Sequence, residues 1–189
     1  RPETELLIEN AIKLLKDHDS PRILELGTGS GIISIVLYKE LVNPEITATD
    51  ISDEALYVAK NNADRYQIKG INFLVSDWFS EIQNKKYDLI ISNPPYVDKT
   101  KLSNEELLGI DMEPDIALYS ENNGTSDLKF IIHNSSILLK HGGCLMLEHG
   151  DDQADYCMRE MKKAGYSRIK KSKDIQNIPR TISGTFLNE

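Results

Sequence analysis

Residues 22–31 read RILELGTGSG, a short apolar run followed by three glycines at alternate positions. The run Arg22–Leu26 predicts a buried β-strand, and the segment Ser30–Leu41 predicts a helix, because it is apolar almost all round. Glycines between a strand and a helix let the backbone turn tightly and approach a bound molecule closely. Position 32 is Ile32, so the loop lacks the last glycine of the dinucleotide fingerprint, and it also lacks the Gly-Lys-Ser/Thr ending of a P-loop.

Strand-like and helix-like segments alternate along most of the chain. Further strands are predicted at residues 45–49, 71–76, 87–92 and 144–148, and further helices at residues 3–17, 56–66, 128–139 and 154–161. The pair Gly142-Gly143 is predicted to end the helix over 128–139, and residues 166–170 and 181–186 are predicted to form a closing antiparallel pair. This alternation predicts an α/β fold with a doubly wound, mostly parallel sheet.

The composition predicts one soluble globular domain in 189 residues. Lys and Arg number 22 against 30 Asp and Glu, and the net charge of −8 disfavours direct nucleic-acid binding, which depends on a basic face. A Lys/Arg cluster over residues 162–173 is interpreted as a solvated face. No stretch approaches the roughly 20 apolar residues of a membrane span, so we expect no membrane contact and a cytoplasmic protein. Cys144 and Cys157 lack metal-ligand spacing, so we expect no metal.

Acidic and aromatic residues follow the second and third predicted strands. Asp50 lies 19 residues after the last glycine of the loop, where a carboxylate can accept hydrogen bonds from ribose hydroxyls. Ser52 or Asp53 is better placed to cap the next helix. Asp77 and Trp78 follow the third strand, where an indole can pack on a purine. These features predict a nucleoside cofactor. Its predicted contacts are Gly27, Thr28, Gly29, Ser30, Gly31, Asp50, Asp77 and Trp78.

The tetrapeptide Asn93-Pro94-Pro95-Tyr96 follows the fourth predicted strand. Its prolines restrict the backbone and remove donors, so carbonyl oxygens near Pro94 can face a cleft beside the Asn93 side chain. Two neighbouring acceptors suit a planar –NH2 group, either a carboxamide or an exocyclic base amine, and Tyr96 can pack on its flat face. We therefore expect Asn93, Pro94 and Tyr96 to be catalytic and Asn93, Pro94, Pro95 and Tyr96 to bind substrate.

The order of these motifs resembles that of the class I S-adenosylmethionine-dependent amino-methyltransferases. Within that class, the chain is similar over nearly its whole length to the release-factor glutamine N5-methyltransferases. The features that carry this resemblance are RPETE at 1–5, Asp-Trp-Phe at 77–79, NPPY at 93–96, Glu-Pro at 113–114 with Ala-Leu at 117–118, and LEHG at 147–150 with Gln153. The resemblance implies a seven-stranded, Rossmann-like sheet with an antiparallel C-terminal strand.

The resemblance also implies a reaction. Members of that family transfer a methyl group from S-adenosylmethionine to the glutamine side-chain amide in the Gly-Gly-Gln motif of peptide-chain release factors. It implies that Gly27–Gly31, Asp50, Trp78 and Asn93 hold the cofactor and that Asn93–Tyr96 hold the glutamine amide. Family members usually carry a small helical N-terminal docking domain, so we expect residues 1–189 to be the catalytic domain without it.

Two alternatives remain open from the sequence. An amino-methyltransferase acting on an exocyclic base amine of RNA or DNA would use the same NPPY chemistry. A non-catalytic module that binds S-adenosylmethionine would keep the fold without a substrate, although the intact Asn93–Tyr96 motif disfavours it. The polar segment over residues 98–123 is a candidate for a flap over the substrate.

Overall fold

Seven strands form one sheet in the computed structural model, which describes residues 2–98 and 118–187. The strands are β1 Arg22–Leu26, β2 Glu45–Asp50, β3 Ile71–Val75, β4 Tyr87–Ser92, β5 Leu139–Glu148, β6 Tyr166–Lys173 and β7 Pro179–Phe186. The α-helices of the described ranges are α1 Pro2–Leu15, α2 Ile32–Glu40, α3 Asp53–Arg65, α4 Glu121–Gly124, α5 Ser126–Ser135 and α6 Ala154–Lys163. A 3-10 turn, Ser136–Leu138, joins α5 to β5.

The strand order in the sheet is β3-β2-β1-β4-β5-β7-β6. The first five strands of this order pair in parallel, and β7 pairs antiparallel with both β5 and β6. The predicted doubly wound, mostly parallel α/β sheet with an antiparallel C-terminal strand is confirmed. The chain moves outward from β1 to β3 and then returns beside β1 with β4, and this reversal opens a crevice at the carboxyl ends of the strands.

The central strands are buried on both faces, which explains their unbroken apolar runs. In β4, Leu89 and Ile91 belong to the hydrophobic cluster on one face, whereas Ile90 belongs to the cluster on the other. Helices α1 and α2 cover the first face, and α5 and α6 cover the second. The helices packed on both faces therefore fix the positions of the strand ends.

The predicted helix end at Gly142-Gly143 is wrong. Helix α5 ends at Ser135, and β5 already begins at Leu139, so both glycines lie inside the strand. The pairing of β4 with β5 shifts register there, because Tyr87 pairs with Leu139 but Leu89 pairs with Cys144. A Cβ at Gly143 would lie 2.9 Å from the Tyr87 carbonyl oxygen. The glycines therefore form a bulge that brings two backbones together.

Several further expectations concern the surface and the segment after β4. Residues 99–117, including the Glu-Pro pair at 113–114, lie outside the described residues, as does most of the segment proposed as a flap. The Lys/Arg cluster lies on α6 and on the edge strand β6, and Lys163 and Lys171 pair with Glu160 and Asp155. This exposed placement agrees with a solvated face. None of the helices in the described ranges has the length and apolarity needed to cross a bilayer.

Candidate active site

One cavity of about 860 Å³ lies at the carboxyl ends of the strands, beside the reversal between β1 and β4. Eleven of the predicted site residues line it: Gly27, Thr28, Gly29, Ser30, Asp50, Asp77, Trp78, Asn93, Pro94, Pro95 and Tyr96. Gly31 is not on the cavity wall. It precedes α2 with a φ of 82°, and a Cβ there would lie 3.0 Å from the Cβ of Ala59 in α3. Gly31 thus permits close packing of the loop on α3.

The glycine loop is shaped by its glycines and held by a hydrogen bond to Asp50. Gly27 and Gly29 have positive φ angles of 68° and 54°, a conformation that favours glycine. The Gly29 N–H donates to Asp50 Oδ2 at 2.8 Å, and the Ser52 N–H donates to Asp50 Oδ1 at 3.0 Å. Ser52 also caps α3, because its hydroxyl accepts from the Ala55 N–H. The capping prediction is therefore confirmed for Ser52, and Asp50 lies at the cavity beside the loop.

Glu25 lies buried beneath this loop. Its Oε2 accepts from the Thr28 hydroxyl at 2.8 Å, from the Ser34 N–H at 3.1 Å and from the Ser34 hydroxyl. Its Oε1 has no hydrogen-bond partner. Burial raises the pKa of Glu25 to about 7, and hydrogen bonds from Ser34 and Thr28 oppose this shift only in part. The loop is therefore fastened to a carboxyl group that titrates near neutral pH.

Trp78 stands next to the glycine loop. Its backbone has a φ of 46°, which is unusual for a residue other than glycine, and its carbonyl accepts from the Ser76 hydroxyl at 3.0 Å. A Cβ at Gly27 would lie 3.8 Å from the indole ring. The side chain of Ile51, which follows Asp50, is half exposed on the same cavity. Together, Trp78 and Ile51 give this end of the cavity apolar surface suited to a purine.

The NPPY residues are tied to distant parts of the chain. Asn93 Nδ2 donates to the Thr4 hydroxyl oxygen at 3.2 Å, and the Thr4 hydroxyl donates to Glu148 Oε2 at 2.9 Å. The Tyr96 hydroxyl donates to Glu148 Oε1 at 3.0 Å. The Glu148 side chain is fully buried. The Glu148 carboxylate at the end of β5 therefore holds both ends of the motif. It bonds directly to Tyr96, and it holds Asn93 through the Thr4 hydroxyl.

Gln153 fixes the backbone that follows the motif. Its Nε2 donates to the Tyr96 carbonyl at 2.9 Å and to the Gly124 carbonyl at 3.2 Å, and its Oε1 accepts from the Gly150 N–H at 2.9 Å. Gly124 has a φ of 73°, and a Cβ there would lie 2.1 Å from the Tyr96 carbonyl oxygen. The approach of α4 to the NPPY loop is therefore possible only with glycine at this position.

The cavity has a negative wall. The charged residues among its described lining are all acidic, namely Glu5, Asp50, Glu54, Asp77 and Asp127. Such a lining attracts a cation and repels a polyanion.

Sequence reasoning did not assign a role to Thr4, Glu148 or Gln153. A signal for Glu148 existed, because a charged residue that ends an apolar strand is rarely buried without a partner. Thr4 and Gln153 gave no signal of that kind. Both belong to features that carry the family resemblance, but their partners, 144 and 57 residues away in the chain, are visible only in the fold.

Comparison with known proteins places this site in a family. Residues 2–108 match the methyltransferase small domain. The chain is 39% identical over 183 residues to a release factor glutamine methyltransferase of Coxiella burnetii, covering 96% of this chain and 65% of that protein. It is 38% identical over 190 residues to the protein of that name from Bordetella pertussis, covering 99% of this chain and 68% of the relative. The chain thus spans about two thirds of the length of these relatives.

A solved structure agrees with the sequence relatives. The protein-(glutamine-N5) methyltransferase (release factor-specific) of Alicyclobacillus acidocaldarius superposes with a TM-score of 0.61 and 26% identity, over 100% of this chain and 94% of that one. The fold, the motif order and the sequence identity lead to one conclusion: the chain belongs to the release factor glutamine methyltransferase family.

Proposed function

We propose that this chain transfers a methyl group from S-adenosylmethionine to the side-chain amide nitrogen of glutamine in the Gly-Gly-Gln motif of a peptide-chain release factor. Residues 1–189 then form the catalytic domain. The observation that carries this proposal is that one cavity, of about 860 Å³, is lined by both the glycine loop and the NPPY motif. A cofactor and an amide side chain can therefore lie side by side in this cavity, and the names of the relatives give glutamine as the residue that they methylate.

One side of the cavity, formed by the glycine loop with Asp50, Asp77 and Trp78, is called here the first wall or glycine wall. Its residues fit S-adenosylmethionine. Gly27, Thr28, Gly29 and Ser30 present backbone beside open space, and Asp50 offers carboxylate oxygens for ribose hydroxyls. Trp78 offers an indole for the purine, and Asp77 lies beside it. The cofactor carries a sulfonium and an ammonium against one carboxylate, so its net positive charge suits the acidic lining. When bound, it supplies a methyl group that is strongly electrophilic.

The opposite side, formed by Asn93–Tyr96, is the second wall or NPPY wall. Its residues would bind and orient the amide. Asn93 Oδ1 and the Pro94 carbonyl would accept the two N–H groups of the glutamine side chain, while Tyr96 packs on its flat face. This arrangement turns the nitrogen lone pair toward the first wall, so that nitrogen and methyl are aligned. The same acceptors stabilise the positive charge that develops on the nitrogen. No dedicated base is needed, because the methylated, charged amide is itself strongly acidic.

The acidic lining also separates this proposal from a nucleic-acid substrate. A nucleic acid carries a phosphate on every nucleotide, and an acidic lining repels a polyanion that presents a base to the cavity. A protein loop carries no such charge. The lining therefore favours a glutamine amide over an exocyclic base amine.

The test is methyl transfer from labelled S-adenosylmethionine to a purified release factor. The matched control is the same factor with Gln→Ala in its Gly-Gly-Gln motif. We expect label on the native factor only, and peptide mass analysis should locate it on that glutamine. Label on RNA or DNA instead would support the base-amine alternative. Tight cofactor binding without label on any of these substrates would contradict the proposed reaction for this chain.

A further inference from the structure

The two ends of an asparagine carboxamide have nearly the same shape but opposite hydrogen-bonding character. Only the oxygen of Asn93 can accept an N–H from a substrate amide. If the –NH2 end faced the cavity, two donor groups would oppose each other, and the substrate nitrogen would be pushed away. The orientation of this one carboxamide therefore decides whether the second wall can hold the substrate.

The contacts around Asn93 have a single consistent direction. A carboxylate only accepts hydrogen bonds, so Glu148 Oε2 accepts from the Thr4 hydroxyl at 2.9 Å and Glu148 Oε1 accepts from the Tyr96 hydroxyl at 3.0 Å. The Thr4 hydroxyl has one proton and donates it to Glu148. Its oxygen can then only accept from Asn93, and Nδ2 is the donor at 3.2 Å. The Oδ1 atom of Asn93 is consequently turned away from Thr4 and remains available to the cavity.

We propose that Glu148 and Thr4 are positioning residues that set the orientation of the Asn93 carboxamide for catalysis. Because the Thr4 hydroxyl donates its proton to Glu148, its oxygen faces Asn93 as an acceptor. This acceptor orients the –NH2 group of Asn93 toward Thr4. Complete burial of Glu148 strengthens these hydrogen bonds, because little water competes for them. This inference rests on the proposed function, because it specifies how the site would present an acceptor to an amide nitrogen.

A simple structural role would predict something different. Thr4 lies on α1 and Glu148 ends β5, so their hydrogen bond also holds the helix on the sheet. If this were its only role, Thr4→Val would lower the free energy of unfolding but would not change the turnover of the folded protein. The positioning role predicts a change in kcat when folding and cofactor affinity are unchanged.

The test compares Thr4→Val, which keeps the side-chain shape, with Thr4→Ser, which keeps the hydroxyl. We expect Thr4→Val to lower kcat about 10²-fold, the scale of a misplaced reacting group, while the Kd for S-adenosylmethionine is unchanged by calorimetry. Thr4→Ser should retain most of the turnover. Glu148→Gln should also lower kcat, since it replaces one of the two acceptor oxygens with an –NH2 group, which donates. Unchanged kcat in Thr4→Val would overturn the proposal.

A second readout does not depend on turnover. In protein labelled with ¹⁵N-asparagine, the side-chain –NH2 signal of Asn93 can be assigned by its loss in Asn93→Ala. We expect slow solvent exchange of one of its protons in the wild type and in Thr4→Ser, and fast exchange in Thr4→Val. Equal exchange in wild type and Thr4→Val would overturn the orientation. Absence of methyl transfer by the wild type would contradict the proposed function, and the exchange rates would still test the orientation.

Discussion

The two walls of the cavity are assembled in different ways. In the glycine wall, hydrogen bonds join residues that are near in sequence: Thr28 with Glu25 across 3 positions and Gly29 with Asp50 across 21. In the NPPY wall, hydrogen bonds join residues that are far apart in sequence: 52 positions from Tyr96 to Glu148, and 89 from Asn93 to Thr4. The glycine loop and Asp50 of the first wall belong to one β-α-β unit, whereas the second wall needs β4, β5 and α1 to be in place together.

This difference suggests a division of function. Changes to the glycine wall should act on cofactor affinity and on the local backbone. Changes to the NPPY wall should act on turnover and leave the cofactor bound. The following four substitutions test that division.

Asn93→Ala should have the largest effect. It removes the acceptor that would hold the substrate amide in the proposed reaction, and loss of one such group costs about 10²–10³-fold in kcat. The cofactor Kd should change little, because the other cofactor contacts lie on the glycine wall. Methyl-transfer kinetics and calorimetry on the same preparation check both expectations. A parallel loss of cofactor affinity would show that the walls are not separable.

Gly124→Ala should destabilise the NPPY wall through its backbone. The new Cβ would meet the Tyr96 carbonyl oxygen at 2.1 Å, at a residue whose φ is 73°. The control is Gly142→Ala, where φ is 80° and a Cβ would have open space. The control should cost about 1–2 kcal/mol of unfolding free energy from the left-handed conformation alone. Gly124→Ala should cost clearly more in urea unfolding, and equal costs would contradict the close approach.

Glu25→Gln should change the pH dependence of stability. Glu25 has its pKa raised from 4.5 to about 7 in the folded state, so folding favours the protonated form. Its stabilising contribution is complete below pH 4.5 and is lost as pH rises through about 7, by about 3 kcal/mol in total. The glutamine of the variant does not titrate, so the free energy of unfolding of the variant lacks this decrease between pH 4.5 and about pH 7.

Urea unfolding of both proteins between pH 5 and pH 8 measures the difference. His149 contributes with the opposite sign, since burial lowers its pKa below 6.5 and its protonation at low pH opposes folding. Because His149 is present in both proteins, its contribution cancels in the comparison. A difference between the two proteins that does not change with pH would contradict a raised pKa for Glu25.

Asp50→Asn should have the smallest effect of the four. It keeps the side-chain size but removes the charge of a carboxylate that accepts from the Gly29 N–H and, in the proposed complex, would accept from the ribose hydroxyls. We expect a loss of about 2 kcal/mol in cofactor binding, as for hydrogen bonds to charged groups. Asp53→Asn, a neighbouring acid outside the cavity lining, is the control. If kcat at saturating cofactor fell as strongly as in Asn93→Ala, the division between the walls would fail.

The sequence was informative wherever structure follows from neighbouring residues. The strand Arg22–Leu26, the glycine loop and the cap at Ser52 depend on contacts within one β-α-β unit, and all of them could be predicted. The hydrogen bonds of Glu148 to Thr4 and Tyr96 could not be predicted, because the packing of α1 and of the NPPY loop on β5 brings these side chains together. The prediction of a helix end at Gly142-Gly143 was wrong for a related reason. Gly142 and Gly143 have the local character of a helix stop, but the register of β4 against β5 makes them a bulge.

The position of β7 has a consequence for the order in which the molecule can fold during synthesis. Although β6 precedes β7 in the chain, β7 lies between β5 and β6, so β6 cannot join the sheet until β7 has left the ribosome. The same strand supports α1. Arg180 Nε lies 3.9 Å from Glu3 Oε1, and Asn10 Nδ2 donates to the Thr181 hydroxyl oxygen at 3.4 Å. A nascent chain can thus acquire its glycine wall early, whereas α1, which carries Thr4, gains this support only when the last strand is inserted.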